Sequence, residues 1–257
     1  MPDEEIRART LARFVEHRRA WDANPALRAL YAEWYARIAR ALPPETLGEQ
    51  VELGSGPGFS RSFIPALVLT DLVKAPWHDR EVSAEALPFG DSTLGALVLF
   101  DVLHHLPAPG RFFSEAMRVL RPGGRVVMCE PYVGPLSYPV YKFLHEESLD
   151  MGVDPLRDEP QGIARDPFAS NQAIPTLLFG RKRAAFRRAF PALTLKRLEY
   201  LAGPSYPASG GFNGRRLLPL PLWRVLRRVE AALPEEWFRL IGFRILVVLE
   251  RNTRPSS

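Results

Sequence analysis

Apolar residues recur every three to four positions in two stretches of residues 3–41. Leu11, Phe14 and Val15 mark the first, and Leu27, Leu30, Tyr31, Trp34 and Ile38 the second. This spacing predicts two amphipathic helices. Asn24 followed by Pro25 reads as an N-cap and first-turn proline for the second helix, and Pro43 with Pro44 ends the section. From residue 50 the period shortens. Residues 50–53, 66–70, 80–83, 95–100 and 124–130 are short apolar runs bounded by Gly, Pro or Asp, and the last two are nearly continuous, as strands buried on both faces of a parallel sheet should be. Between those two, Phe112, Phe113, Ala116, Met117 and Leu120 keep helical spacing until Arg121-Pro122-Gly123-Gly124 stops it. Strand, helix, strand in this order predicts a doubly wound α/β sheet.

Beyond Pro131 the pattern weakens. Prolines at 135, 139, 155, 160, 167 and 175 leave room for a helix only around 140–148. A helix is predicted over 180–190, a strand over 193–201, a second helix over 222–233 and a last buried strand over 244–249.

A chain of 257 residues is within the range of one large α/β domain. We divide this single domain into a helical cap (1–44), a ligand-binding core (48–131), a region expected to receive an acceptor (131–215) and an amphipathic helix with the last strand (216–251). Proline, 25 residues in all, is about twice its usual frequency and argues against a pure helical bundle. The lone Cys129 excludes an internal disulfide and a thiolate cluster, which fits a cytoplasmic setting. No apolar run reaches the roughly 18–20 residues of a membrane span. The formal charge of +5 is unevenly spread: residues 1–180 hold 18 basic and 24 acidic residues, and 181–257 hold 16 and 5. An anionic partner should therefore meet the last third. There, residues 217–240 interleave Leu, Val, Trp223 and Trp237 with four arginines, the composition of an interfacial helix. An ordinary amphipathic helix packed on the sheet has the same composition. Peripheral membrane contact is thus one expectation; nucleic acid is disfavoured, since no binding module is recognised.

The most informative stretch is Val51-Glu52-Leu53-Gly54-Ser55-Gly56-Pro57-Gly58, a strand end running into a glycine turn and a helix start. Alternate glycines permit positive φ and close backbone approach to a ligand. A dinucleotide fingerprint would require a third glycine where this chain has Phe59, and Glu52 would repel a pyrophosphate. A nicotinamide-dependent oxidoreductase is disfavoured accordingly. Glu52 would attract a cation, and Asp71, closing the next strand, can accept both hydroxyls of a ribose. An adenosine with a positive, unphosphorylated end is the ligand this suggests.

With these residues the chain resembles the class I S-adenosylmethionine-dependent methyltransferases, particularly the group containing quinone-biosynthesis enzymes. Four motifs over residues 48–131 carry the resemblance: the glycine turn, Asp71, the AEALPF stretch from Ala84 to Phe89, and LHHL at 103–106 with RVLRPGG at 118–124. It implies a Rossmann-like, seven-stranded, mostly parallel sheet with helices on both faces and an N-terminal helical cap. It also implies S-adenosylmethionine bound by Glu52, Gly54, Ser55, Gly56, Gly58, Asp71, Ala84 and Glu85, with Phe100 and Asp101 facing the sulfonium. Ser83 stands where many relatives have an aspartate for the adenine. The short span from Gly58 to Asp71 leaves about two helical turns at 1.5 Å per residue. These two features and the basic tail motivate an alternative, a cofactor-binding scaffold or membrane-surface partner without turnover.

Methyl transfer mainly needs alignment, with a base for some acceptors. His104 and His105 follow the fourth strand and could deprotonate an acceptor, or could instead orient the strand-to-helix turn. Glu130 could orient a substrate or pair with a basic residue. Tyr31, Trp34 and Tyr35 could cover the cofactor or pack the cap, and Tyr132, Asn171 and the loop 209–214 could line an acceptor pocket. His145, Glu146 and Glu147 point different ways if helical, so a solvated face is expected and no metal. The acceptor expected is a small or lipid-linked molecule.

Overall fold

The computed structural model describes residues 4–157, 169–213 and 216–253. Helix α1 spans Glu4–Ala23 and α2 spans Pro25–Ala41. Between them Asn24 caps α2: its side-chain oxygen accepts the Leu27 amide at 3.2 Å while Pro25 takes the first helical position. The two helices differ in how they are held. α2 buries eight residues, including Leu30, Tyr31, Trp34 and Ile38, whereas α1 buries only Thr10 and Phe14.

Seven strands form one sheet in the order β3-β2-β1-β4-β5-β7-β6. They are β1 (Glu49–Leu53), β2 (Val68–Asp71), β3 (Arg80–Glu81), β4 (Leu94–Phe100), β5 (Leu120–Pro131), β6 (Leu193–Leu201) and β7 (Arg244–Arg251). β1 to β5 are mutually parallel; β7 runs antiparallel to both β5 and β6. Its first residue, Arg244, therefore lies opposite Pro131, the last residue of β5. Alternation along β4 feeds two cores. Val98 and Phe100 join α2 on one face, and Leu97 and Leu99 join Phe112, Phe113 and Ala116 of α3 (Pro109–Val119) on the other. Helices cover both faces, as expected for a sheet whose central strand β4 is buried at every residue.

Several local expectations are corrected. The helix expected after the glycine turn is a single 3-10 turn, Phe59–Ser62. The edge strand β3 holds two residues, and Ser83 continues only as an isolated bridge to Ala86. The helix expected over 140–148 is α4, Ser137–Phe143, with Pro139 in its first turn where its missing N–H costs nothing. Residues 174–179, read as irregular because of Pro175, form α5 (Ile174–Phe179) with that proline near its start. α6 follows at Arg183–Ala189. The chain then continues through β6, α7 (Ser205–Ala208), α8 (Leu220–Ala231), α9 (Phe238–Ile241) and β7. None of the described helices is long and apolar enough to cross a membrane.

Candidate active site at the carboxyl ends of the strands

Gly54, Gly56 and Gly58 adopt φ of +65°, +49° and +75°, a region side chains disfavour. Space adds a second constraint, because a Cβ at Gly54 would come within 2.6 Å of Val102 and one at Gly58 within 2.6 Å of the Trp77 ring. At Gly56 only Phe14 of α1 lies near, 3.7 Å from the corresponding position. Asp71 ties this turn to β2 by accepting the Gly56 amide at 2.9 Å and the Val73 amide at 3.1 Å. Ser55 reinforces the tie through its hydroxyl, which accepts the Thr70 amide at 3.1 Å. Burial raises the Asp71 carboxyl above its usual range, although these amides favour the charged form. A carboxylate oxygen offers two lone pairs, so Asp71 keeps acceptor capacity beyond the two amides.

Glu52 sits at the same end of the neighbouring strand, almost wholly buried. It accepts the Ser60 hydroxyl and, at 3.5 Å, the Tyr35 hydroxyl. Burial pushes its carboxyl up to about 7. Tyr31 and Tyr35 stack on Phe100, with ring centroids 4.9 and 5.0 Å away, and Phe59 stacks on Trp21 at 4.1 Å. The rings that pack the cap also stand against Phe100 at the end of β4.

A cover lies over the turn. Arg18 of α1 donates to the Pro57 carbonyl at 3.0 Å and stacks over Trp77, and Trp77 donates to the Gly56 carbonyl at 2.7 Å. His78 reaches the same carbonyl at 2.7 Å. Its Nδ1 accepts the Ala75 amide at 3.1 Å, which assigns the proton to Nε2. Farther along α1, Arg7 pairs with Glu81 at 3.0 Å.

Asp101 follows β4 in the left-handed region, φ +57°. It pairs with Arg244, which is 1% exposed. The guanidinium carbon lies 4.7 Å from the Trp34 ring, 4.9 Å from Phe100 and 5.5 Å from Tyr206, and Nε has no partner among the described residues. Sequence reasoning missed Arg244, which entered only as the first residue of the last strand. The signal available was an arginine heading a strand otherwise apolar to Leu249.

The residues proposed for acid–base work form an ion-paired knot. Glu130 is fully buried; one oxygen accepts the Val102 and Leu103 amides, both at 2.9 Å, and the other meets His104 Nδ1 at 2.8 Å. Glu147 lies 3.3 Å from His104 Nε2 and also accepts Gln172. Burial alone would lower the His104 pKa, but the two carboxylates raise it to about 10. His104 holds Glu130 and Glu147 below the carboxylate range against the opposing effect of burial. A protonated imidazole has no lone pair to offer, and His104 here joins, through Glu130, the backbone amides of the turn after β4. Burial and the His104 cation push His105 down to about 4. The solvated face expected for Glu147 is also corrected: α4 stops at Phe143, and the chain turns this carboxylate inward.

Other predicted site residues lie apart from the aromatic wall. Tyr132 donates to the Arg239 carbonyl at 2.9 Å and packs on Tyr200. Asn171 organises its own loop, exchanging hydrogen bonds of 3.0 Å with the Asp150 backbone. Ala84 packs against the α3-side core, and Glu85 accepts the Ala108 amide at 2.8 Å. In the loop at 209–214, Phe212 stacks on His17 at 4.4 Å, bringing the loop to the cap; Gly214 lies outside the described residues.

Taken together, these features define an α/β protein with a candidate ligand site at the carboxyl ends of its strands, where a glycine turn lies between two buried acids. Residues 51–128 match the family model described as a methyltransferase domain. A demethylmenaquinone methyltransferase of Clavibacter sepedonicus is 29% identical over 139 residues, 46% of this chain. The chain spans 56% of that protein's length. Among solved structures, the complex between the Haloferax volcanii Trm112 methyltransferase activator and a methyltransferase contains a chain aligned with TM-score 0.52 and 16% identity. The alignment covers 96% of this chain and 97% of that one and bears on the fold. Residues 51–128 are thus similar to a methyltransferase domain, and the likeness supports the class I S-adenosylmethionine-dependent methyltransferases as the family of this segment.

Proposed function

We propose that the protein transfers the methyl group of S-adenosylmethionine to a small-molecule or lipid-linked acceptor. The observation that carries this reading is the pair of buried carboxylates, Glu52 and Asp71, at the ends of adjacent strands on either side of the positive-φ glycine turn. The donor set fits a cationic adenosine derivative better than a pyrophosphate, which two nearby carboxylates would repel. When bound, the cofactor supplies an electrophilic methyl group on a sulfonium. Asp71 then accepts ribose hydroxyls, Glu52 offsets the positive charge, and Ala84 and Glu85 flank the adenine. Phe100, Tyr31 and Tyr35 exclude water and restrict the approach of the nucleophile.

Arg244, neutralised by Asp101, keeps a buried Nε–H with no partner among the described residues, a donor for an acceptor oxygen. It would favour an acceptor that reacts as an anion, such as a phenolate or enolate, lowering the need for a protein base. His104 and Glu130 contribute by fixing the turn after β4. The name of the Clavibacter relative makes a quinone-type acceptor one candidate within this class. Calorimetric titration with S-adenosylmethionine and with NAD tests the cofactor; binding of NAD alone overturns the reading. An untargeted screen for methylated products tests turnover. Cofactor binding with no product from any extract would favour the scaffold alternative.

A further inference from the structure

Helix α8 has two apolar sides. Trp223 and Glu230 are buried on one, where the Trp223 indole donates to the Ser205 carbonyl at 2.8 Å and Glu230 accepts the Ser205 amide at 2.5 Å. On another side Leu222, Val225 and Val229 are 57%, 55% and 57% exposed, and their spacing of three and four residues makes a continuous stripe. Arg224 and Arg228, both exposed, lie beside it, and neither has a carboxylate partner among the described residues. Further exposed apolar side chains follow the helix in sequence. Trp237 and Leu240 around α9 are more than half exposed, and the Leu240 carbonyl accepts the Leu136 amide at 3.0 Å. That bond joins α9 to the segment leading into α4, where Phe143 and Leu144 are 76% and 80% exposed beside exposed Lys142. Exposed carboxylates near these elements are Glu235 and Glu236 in the turn between α8 and α9 and Glu146 after α4.

We propose that this surface of α8, α9 and the end of α4 docks on an anionic phospholipid membrane. Isolated exposed apolar residues are ordinary, but clusters of them on α8, α9 and the end of α4, bordered by cations without carboxylate partners among the described residues, are the arrangement that inserts at a lipid headgroup boundary. A second copy of the chain fits less well, because pairing α8 with itself would oppose Arg224 and Arg228 to like charges. The fold sets the orientation. α4 follows the carboxyl end of β5 and α9 precedes Arg244 at the start of antiparallel β7, so the docking elements surround the same end of the sheet as the candidate active site. The surface stands independently of methyl transfer. Delivery of a lipid-linked acceptor from the bilayer is a consequence that rests on that proposed function.

The test is co-sedimentation of the full chain with sucrose-loaded vesicles of phosphatidylcholine, with and without phosphatidylglycerol. Binding should require phosphatidylglycerol and weaken with salt. The R224Q/R228Q double variant should bind about thirtyfold more weakly, and V225D/V229D should lose binding while melting like the unaltered chain. S-adenosylmethionine titration of the same variants should be unchanged, which separates failure of this proposal from failure of the methyltransferase reading. Equal sedimentation with both vesicle types, or unaltered binding by both variants, overturns the proposal. A concentration-dependent dimer that V225D/V229D converts to monomer also overturns it, assigning the surface to a second copy.

Discussion

Replacing Glu130 by Gln separates a structural role from a catalytic one. In the native protein the carboxylate satisfies two backbone amides and faces a buried imidazolium. The amide can still accept those N–H groups, but it removes a charge and leaves His104 with Glu147 alone. Breaking one side of a buried ion pair costs about 3–5 kcal/mol. For a chain of this size each kcal/mol moves Tm by about 2–4 °C, so Tm should fall by roughly 6–20 °C at pH 6. The pH dependence provides a further check. The Glu130 pKa is lowered on folding, so its contribution is present above the unfolded value of about 4.3 and lost as pH falls. The His104 pKa is raised to about 10, so its contribution is complete below about 6.5 and lost as pH rises toward 10. The difference in Tm between the two proteins should therefore be widest between about pH 4.5 and 6.5 and shrink on either side. Thermal melts followed by circular dichroism across pH 4–10 supply the curve. A loss below about 1 kcal/mol, or a difference independent of pH, would refute the ion-pair account. Lost turnover with an unchanged melt would restore Glu130 to a catalytic role.

Asp71→Ala should weaken S-adenosylmethionine binding by about 1–3 kcal/mol, the range for hydrogen bonds to a charged group, as read by calorimetry; an unchanged affinity removes Asp71 from the ribose site. Because Glu52 titrates near 7, affinity for a cationic ligand should rise as pH increases from 6 to 8. Glu52→Gln should flatten that rise, and a slope that survives in the variant assigns it elsewhere. Hydrogen exchange should be faster along α1 than along α2, since α1 buries two residues against eight. Equal protection would mean that the cover over the glycine turn is as firmly held as the cap beneath it.

The core of the fold was readable wherever one physical signal dominated. Continuous apolar runs marked β4 and β5 because both faces of those strands are covered, and Asn24-Pro25 marked the start of α2 through local hydrogen bonding. Legibility failed where tertiary context decides. Pro139 and Pro175 read as breaks, yet each sits in a helical first turn. The stretch after Gly58 read as a helix start, but only a 3-10 turn fits before β2. At the site, Glu52, Asp71 and the glycines were legible because backbone geometry and charge limit the residues that can serve there. The pairing of His104 with Glu130 and Glu147, and of Arg244 with Asp101, joins residues 26 to 143 positions apart. No local pattern encodes such partners.

The reversed direction of β7 also orders the protein's assembly in time. Synthesis proceeds from the amino terminus and structure forms as chain becomes available, so β1 to β5 can pair before Arg244 has been made. Until β7 arrives, β5 is an open edge with unpaired backbone groups, the kind of strand that recruits neighbours. Asp101 likewise waits for its counter-charge. The last strand therefore closes the sheet and neutralises the site in one event, and a nascent chain halted before residue 244 would be both sticky and unable to complete its own binding pocket.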